Sequence, residues 1–388
     1  MNENISDYEV IMYKYLSMLL AVVLITACNA NTEPDKEAES ADAGQEYTME
    51  TIITEIDVPW GLDWLPDGDM LVTARSGDLW LYSDGSLAEE PVAGVPEVWS
   101  NGQGGLLDVK AHPNYEQNGW IYLTYSSPEG SEPGANTALM RAKLNEDRTS
   151  LVNQEILYKA EPNTERGQHF GSRIVFDNNG HVFFGIGDRG ARDVNPQDIT
   201  RDAGKIYRLN DDGSIPQDNP FVGKEGKDAI FAYGVRNPQG MALHPETGEL
   251  WENEHGPRGG DEVNIIKPGN NYGWPEISFG INYNGTSFTD DTAKAGMEQP
   301  EWYWDPSIAP SGMTFVTSER YPDWQGDLLV GSLKFSYLVL CTVEDGGITE
   351  EEILFEEIGR VRNIEQGPDG YLYVATEGNG IKRIIAEQ

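Results

Sequence analysis

At 388 residues, with 38% hydrophobic and 10% aromatic content, the chain can bury a large core and lies outside the disordered class. A formal charge of −38, from 27 basic and 65 acidic residues, excludes nucleic acid as a partner, because binding phosphates needs basic surface. Forty-three glycines, ten tryptophans and eighteen tyrosines point to many short strands and tight turns instead of long helices.

The N-terminus comes first. Lys14 precedes an apolar stretch, Tyr15–Ala27, that is short for a membrane span and ends in Ile25-Thr26-Ala27-Cys28. This pattern resembles a bacterial lipoprotein signal over residues 1–27, in which Cys28 is lipidated. It places the protein on the exported, periplasmic side, anchored to a membrane through that lipid alone. Residues 28–47 are acidic, Ala/Ser-rich and unpatterned, as a flexible tether should be. Cys341 is then a lone buried strand residue.

From residue 48 to 388 one pattern recurs: an apolar run, a turn, and a second apolar run. Its copies are Gly61–Thr73, Leu107–Tyr125, Ile174–Ile186, Met241–Trp251, Met313–Gly331 and Ile364–Thr376, with turns such as Pro66-Asp67-Gly68 and Pro368-Asp369-Gly370. Each reads as a β-hairpin. Six uneven copies predict an all-β chain, a six-bladed β-propeller of four-stranded antiparallel blades. The connections between copies hold nearly all the unusual polar residues and belong on the rims.

Two motifs mislead. Gly185-Ile-Gly-Asp-Arg-Gly190 has dinucleotide-fingerprint spacing, but no amphipathic helix follows it, so it reads as a strand end leading into a loop that carries Asp188. Asn210-Asp211-Asp212-Gly213 with Asp218 lacks the closing Glu and the helices of an EF-hand. Of the five histidines, His112 and His244 precede prolines in repeat turns and read as structural, and His181 as exposed. His169 lies in a polar loop just before a strand, and Asp188 ends the following hairpin, where it can orient the imidazole as a base.

The segment Tyr233–Asn264 carries Arg236-Asn237 before a hairpin and His255-Gly256-Pro257, Gly259-Gly260 and Asp261-Glu262 after it. Both flanks of a hairpin reach one rim, which suits an anion and a cation bound together. Lys334, Arg360 and Arg362 stand out in so acidic a chain. With Arg236 they can form a cationic pocket for a small polycarboxylate.

In order along the chain stand Asn101-Gly-Gln-Gly-Gly105, Gln168-His169, Gly187-Asp188, Arg236-Asn-Pro-Gln-Gly240, Glu254-His-Gly-Pro257, Gly260-Asp-Glu262, Asn271-Tyr-Gly-Trp-Pro275 and Arg360-Val-Arg362. Over residues 55–386 this series resembles the soluble pyrroloquinoline quinone (PQQ)-dependent sugar dehydrogenases, the glucose and aldose sugar dehydrogenase family. The resemblance implies a six-bladed propeller that oxidises aldoses at C1 to the lactone and passes electrons to an external acceptor (a quinone, dye or cytochrome). By the same resemblance His169 would be the general base, Asp188 its orienting acid, and Arg236 the group that stabilises charge on the quinone. Gln103, Asn237, Ser307, Lys334, Arg360 and Arg362 would contact the cofactor along with His169 and Arg236. Gly256 and Pro257 would offer carbonyls to a Ca²⁺ at the PQQ site. Glu262 and Tyr272, with Asp261, would bind a second, structural Ca²⁺. The loops 130–134 and 283–299 have no counterpart in the family pattern, so the sugar is not specified.

Two alternatives remain at this level. A calcium-dependent lactonase-type hydrolase needs metal carboxylates but no cationic cofactor pocket. A non-catalytic ligand-binding propeller needs neither His169 nor Asp188.

Overall fold

The computed structural model describes residues 45–387. The signal and tether readings, including Cys28, lie outside them, apart from the tether's last residues; the first strand begins at Tyr47.

Six four-stranded antiparallel sheets account for nearly all regular structure. Each of the six hairpins read from the sequence forms the first two strands of a sheet. They are Pro59–Trp64 with Met70–Ala74 in blade 1, and Leu106–Ala111 with Trp120–Ser127 in blade 2. Ile174–Phe176 with His181–Ile186 begin blade 3, and Pro238–Leu243 with Leu250–Glu254 begin blade 4. Pro310–Phe315 with Leu328–Ser332 begin blade 5, and Arg360–Gln366 with Leu372–Glu377 begin blade 6. The first strands of neighbouring blades pack on one another, and blade 6 packs back on blade 1. That closes a six-bladed propeller.

The outermost strand of blade 6 is Tyr47–Ile53, paired antiparallel to Gly380–Ala386 from the other end of the described chain. Nothing in the hairpin pattern announces this pairing.

The core lies between blades. Leu65, Leu71 and Leu79 of blade 1 meet Val109, Ile121 and Leu123 of blade 2, all buried. Equivalent clusters fill the other joints, including Trp251 of blade 4 against Phe315 and Val330 of blade 5. Each such side chain removes roughly 1.5–3 kcal/mol of apolar surface cost from water. Cys341 is fully buried in one of these joints, where burial pushes its thiol pKa up.

Strand direction fixes where function can sit. Every hairpin turn points to one rim, so every first strand begins, and every second strand ends, at the opposite rim. Five of the six blades also break register near the start of the first strand, between Pro238 and Gly240 and between Val361 and Asn363 for example. Such bulges bend a strand and re-aim its side chains. Gly240 shows how crowded this ring is, since a Cβ there would lie 2.4 Å from the Ser311 carbonyl oxygen of the next blade.

The remaining expectations about decoys and histidines follow this plan. Gly185 and Ile186 end a strand, and Asp188 sits in the loop beyond. His112 bonds Asp211, and His244 Nδ1 accepts from the turn amides of Glu246 and Thr247. His181 differs from its expected exposure: it is half-buried, with Nδ1 2.8 Å from Asp177 Oδ2 inside its own hairpin turn.

Candidate functional site

All the residues singled out as cofactor or catalytic groups come to the rim opposite the hairpin turns. Apart from Asn237, which is buried behind Arg236, they line two adjoining cavities, of about 320 Å³ and about 750 Å³. Pro257 and Tyr283 line both.

The smaller cavity holds His169, Asp188 and Arg236. His169 Nδ1 lies 2.6 Å from Asp188 Oδ1. Asp188 is 1% exposed, and its other oxygen accepts from Trp274 Nε1 at 2.9 Å. Gly190 N also donates to Asp188 Oδ1 at 2.7 Å. With Nδ1 donating to Asp188, His169 keeps its Nε2 lone pair available. His169 itself has φ +58°, an uncommon conformation for a residue with a side chain, and Gln103 Oε1 holds its amide at 2.7 Å. Gln103 therefore positions the backbone of His169 as well as facing the larger cavity.

The charges are tuned in opposite directions. Burial lowers the His169 pKa, and the Arg236 charge adds to this, against the raising pull of Asp188. Burial alone would raise Asp188, but His169, Arg236 and Trp274 together hold it below the usual carboxylate range. The pair therefore rests as neutral imidazole and carboxylate near pH 7.

Arg236 is placed by blade 4. Its guanidinium donates to the His255 carbonyl at 2.8 Å and to the Tyr283 hydroxyl at 3.3 Å. Its backbone amide donates to Glu254, whose carboxylate also accepts from Asn237 N at 3.2 Å. Burial raises the Glu254 pKa to about 7 in spite of these donors. His255 Nε2 donates to the Pro310 carbonyl at 2.7 Å; burial and then the Arg236 charge lower its pKa to about 3, so it stays neutral.

The larger cavity gathers Arg75, Arg258, Lys334, Arg360 and Arg362 with Gln103 and Ser307. The late cations are themselves tied down. Arg360 Nε and Arg362 donate to the two oxygens of Glu377 at 2.8 and 2.5 Å. Lys334 Nζ donates to the Ser307 carbonyl at 2.8 Å. Glu377 faces Arg360 across the blade 6 hairpin and prevents the basic residues from repelling one another.

Asp261, expected with Glu262 and Tyr272, has both oxygens engaged by the turn before it and the 307–309 loop. Its oxygens accept from Gly256 N at 2.8 Å, Ser307 Oγ at 2.6 Å and Ala309 N at 2.7 Å. It braces the Gly256–Gly260 turn against the 307–309 loop, and strand alternation turns it away from Glu262. The turn is tight, because a Cβ on Gly256 would lie 2.1 Å from the Gly260 carbonyl oxygen. On the other face of that sheet, Glu262 lies beside Asn264, which reaches Glu252 at 3.4 Å. Glu252 is fully buried and its Oε1 has no partner. Burial, then the charge of Glu254, raises both Glu252 and Glu262 well above the carboxylate range. Tyr272 packs close by, with its hydroxyl donating to the Ile265 carbonyl at 2.6 Å. Among the described residues no three acidic, His or Cys side chains converge as metal ligands.

Against known proteins, the family described as Glucose / Sorbosone dehydrogenase matches residues 56–385. The chain belongs to the glucose/sorbosone dehydrogenase family. Within it, the chain is 43% identical over 334 residues to the aldose sugar dehydrogenase YliI of Escherichia coli (strain K12), covering 85% of this chain and 90% of that one. A crystal structure of the soluble aldose sugar dehydrogenase from Escherichia coli, in the apo-form, superposes with TM-score 0.84 at 41% identity, covering 87% and 99% of the two chains. The PQQ-bound aldose sugar dehydrogenase from Streptomyces coelicolor superposes with TM-score 0.72 at 25% identity, covering 88% and 99%. Family membership agrees with the resemblance read from the motifs and with the six-bladed count.

Proposed function

We propose that this glucose/sorbosone dehydrogenase-family protein oxidises aldoses at C1 to the lactone, using PQQ and Ca²⁺, and delivers the electrons to an external acceptor. The observation that carries the proposal is the buried His169–Asp188 pair, 2.6 Å apart, on the same cavity wall as Arg236.

The residues fit the cofactor. The cavity of about 750 Å³ suits a rigid tricyclic ligand, and its five basic residues suit three carboxylates. Arg362 Nε and Asn237 Nδ2 are buried donors without partners, as a site awaiting an acceptor-rich ligand should contain. Gln103, Asn237, Ser307, Lys334, Arg360 and Arg362 would hold it, with Arg236 and His169 at its reactive end. For the metals, the Gly256 and Pro257 carbonyls are hard oxygen donors beside the cavity wall. Glu262, the unpartnered oxygen of Glu252 and the Tyr272 carbonyl suit a second Ca²⁺, with water completing its shell. When bound, PQQ and its Ca²⁺ supply a polarised two-electron acceptor for the C1 hydride.

The protein's own contribution is proton transfer and charge placement. His169 Nε2 takes the C1 hydroxyl proton as the C1 hydrogen leaves with its electron pair. Asp188 stabilises the imidazolium that results. Arg236, held by the His255 carbonyl, lies where negative charge grows on the cofactor oxygen. Trp274 and Tyr283 wall the pocket and limit water.

The test is reconstitution of the purified protein with PQQ and Ca²⁺ and measurement of dye reduction over a panel of aldoses. Aldose-dependent reduction that requires both additions is expected; no reduction with any aldose overturns the proposal. Lipid anchoring at Cys28 on the periplasmic side belongs to the same reading. Labelled fatty acid should enter the wild-type protein but not Cys28→Ser, and equal labelling of both overturns that part.

A further inference from the structure

The two rim cavities reverse the charge balance of the molecule. The chain has 27 basic and 65 acidic residues, whereas the cavity walls carry eight basic side chains and four carboxylates. In the larger cavity the five basic residues answer the carboxylates of the proposed cofactor. In the smaller cavity Arg236 answers its reactive oxygen. Two arginines, Arg166 and Arg192, are left over on the wall where the sugar must sit. A neutral aldose needs hydrogen-bond partners but gives no reason for two further guanidinium groups.

Their surroundings do not neutralise them. Arg166 donates to the Gly190 carbonyl and has no carboxylate within ion-pair distance among the described residues. Arg192 has Asp193 at 3.4 Å, but that carboxylate is 81% exposed and screened by solvent. Asp188, the other acid of this wall, is already engaged by His169, Gly190 and Trp274.

Arg192 is held in place from two sides, and Arg166, though exposed, is tied at one end. Arg192 lies over the Phe288 ring at 4.5 Å and donates to Asn282 Oδ1 at 2.8 Å. Arg166 is fixed on Gly190, the residue whose amide donates to Asp188 Oδ1. A planar fork fixed in this way binds a carboxylate or phosphate with two parallel hydrogen bonds.

We propose that Arg166 and Arg192 form a subsite for an anionic group on the sugar, so that the preferred substrate is an aldose bearing a carboxylate or phosphate away from C1. The inference rests on the dehydrogenase reading above. The oxidation is unchanged: the C1–H bond breaks with its electron pair passing to PQQ, and the O–H proton goes to His169. The C1–O bond becomes the lactone carbonyl while the anionic group is untouched.

The experiment compares kcat/KM for glucose, glucuronate and glucose 6-phosphate with the PQQ- and Ca²⁺-loaded protein, in wild type and in Arg166→Gln/Arg192→Gln. An anionic aldose should exceed glucose by about tenfold or more at low salt, and the ratio should shrink as salt is raised. The ratio should fall to near one in the double variant. Which of the two anions shows the preference decides between carboxylate and phosphate. Calorimetric titration of cofactor-free protein with each anionic aldose gives a second readout, in which the double variant should bind at least several-fold more weakly. A ratio near one in wild type, or a preference and affinity that survive in the double variant, overturns the subsite. Oxidation of glucose without preference leaves the dehydrogenase reading standing, whereas oxidation of none of the three overturns both.

Discussion

Asp188 joins His169 to Trp274: one carboxylate oxygen meets the imidazole at 2.6 Å and the other accepts the indole N–H at 2.9 Å. The acid is thus clamped from both sides and cannot rotate away from the imidazole. His169→Gln or Asp188→Asn should cut turnover by about 10²–10⁴-fold while leaving PQQ affinity within a few-fold. Turnover against cofactor titration checks this, and near-normal turnover in His169→Gln removes it as the base.

The same site sets a pH dependence. Burial and Arg236 lower the His169 pKa from its ordinary 6.5, and only the neutral imidazole accepts a proton. kcat/KM should therefore rise with pH through a midpoint below 6.5 and then level off. Asp188 opposes the lowering, so Asp188→Asn should move the midpoint further down. A wild-type midpoint above 6.5 contradicts the account.

Tyr283 is 72% exposed, yet its hydroxyl accepts from Arg236 and its ring lines both cavities. Tyr283→Phe should lower kcat by about fivefold, the value of roughly 1 kcal/mol for one hydrogen bond, with KM little changed. Tyr283→Ala should also raise KM, because the wall between cofactor and sugar is lost. Steady-state kinetics of both variants separate the two roles.

Glu377 holds Arg360 and Arg362 together, and the Arg362 side chain is 9% exposed. Glu377→Gln leaves a buried guanidinium unpaired, at a cost of about 3–5 kcal/mol. Melting of the cofactor-free protein should shift strongly downward. Added PQQ should raise the Tm of the variant more than that of wild type, since the cofactor carboxylates would replace the lost partner.

Glu252, fully buried with an unpartnered oxygen, gives a metal test. A chelator should lower the Tm of the wild-type protein, and Ca²⁺ should restore it. Glu252→Gln should reduce that Ca²⁺-dependent gain and leave the chelated protein no less stable, because burial already keeps the metal-free carboxyl protonated and uncharged. An unchanged Ca²⁺ response in the variant removes Glu252 from the metal site.

What the sequence revealed follows the range of the forces involved. Each hairpin is closed by its own turn residues, so six copies and their rims could be read locally. The pairing of Tyr47–Ile53 with Gly380–Ala386 depends on ring closure and left no local mark. His169, Asp188 and Arg236 were legible through family motifs, but Tyr283 reaches the site on a loop whose course no pattern encodes, and Arg75 and Arg258, just past second-strand ends on the legible rim, carry no motif of their own. Glu377 was hidden by a bulge: counting outward from Pro368-Asp369-Gly370 sets it opposite Val361, and the register shift between Val361 and Asn363 brings it to Arg360. Alternation along one strand separates Asp261 from Glu262.

Strand Tyr47–Ile53 has no sheet partner until Gly380–Ala386 has been made and delivered. During synthesis the earliest strand must wait, unpaired, through five completed blades. The ring then latches in a single late event. Closure of the ring is thereby tied to completion of both ends of the propeller, and a polypeptide halted part-way through synthesis keeps an open joint between its first and last blades.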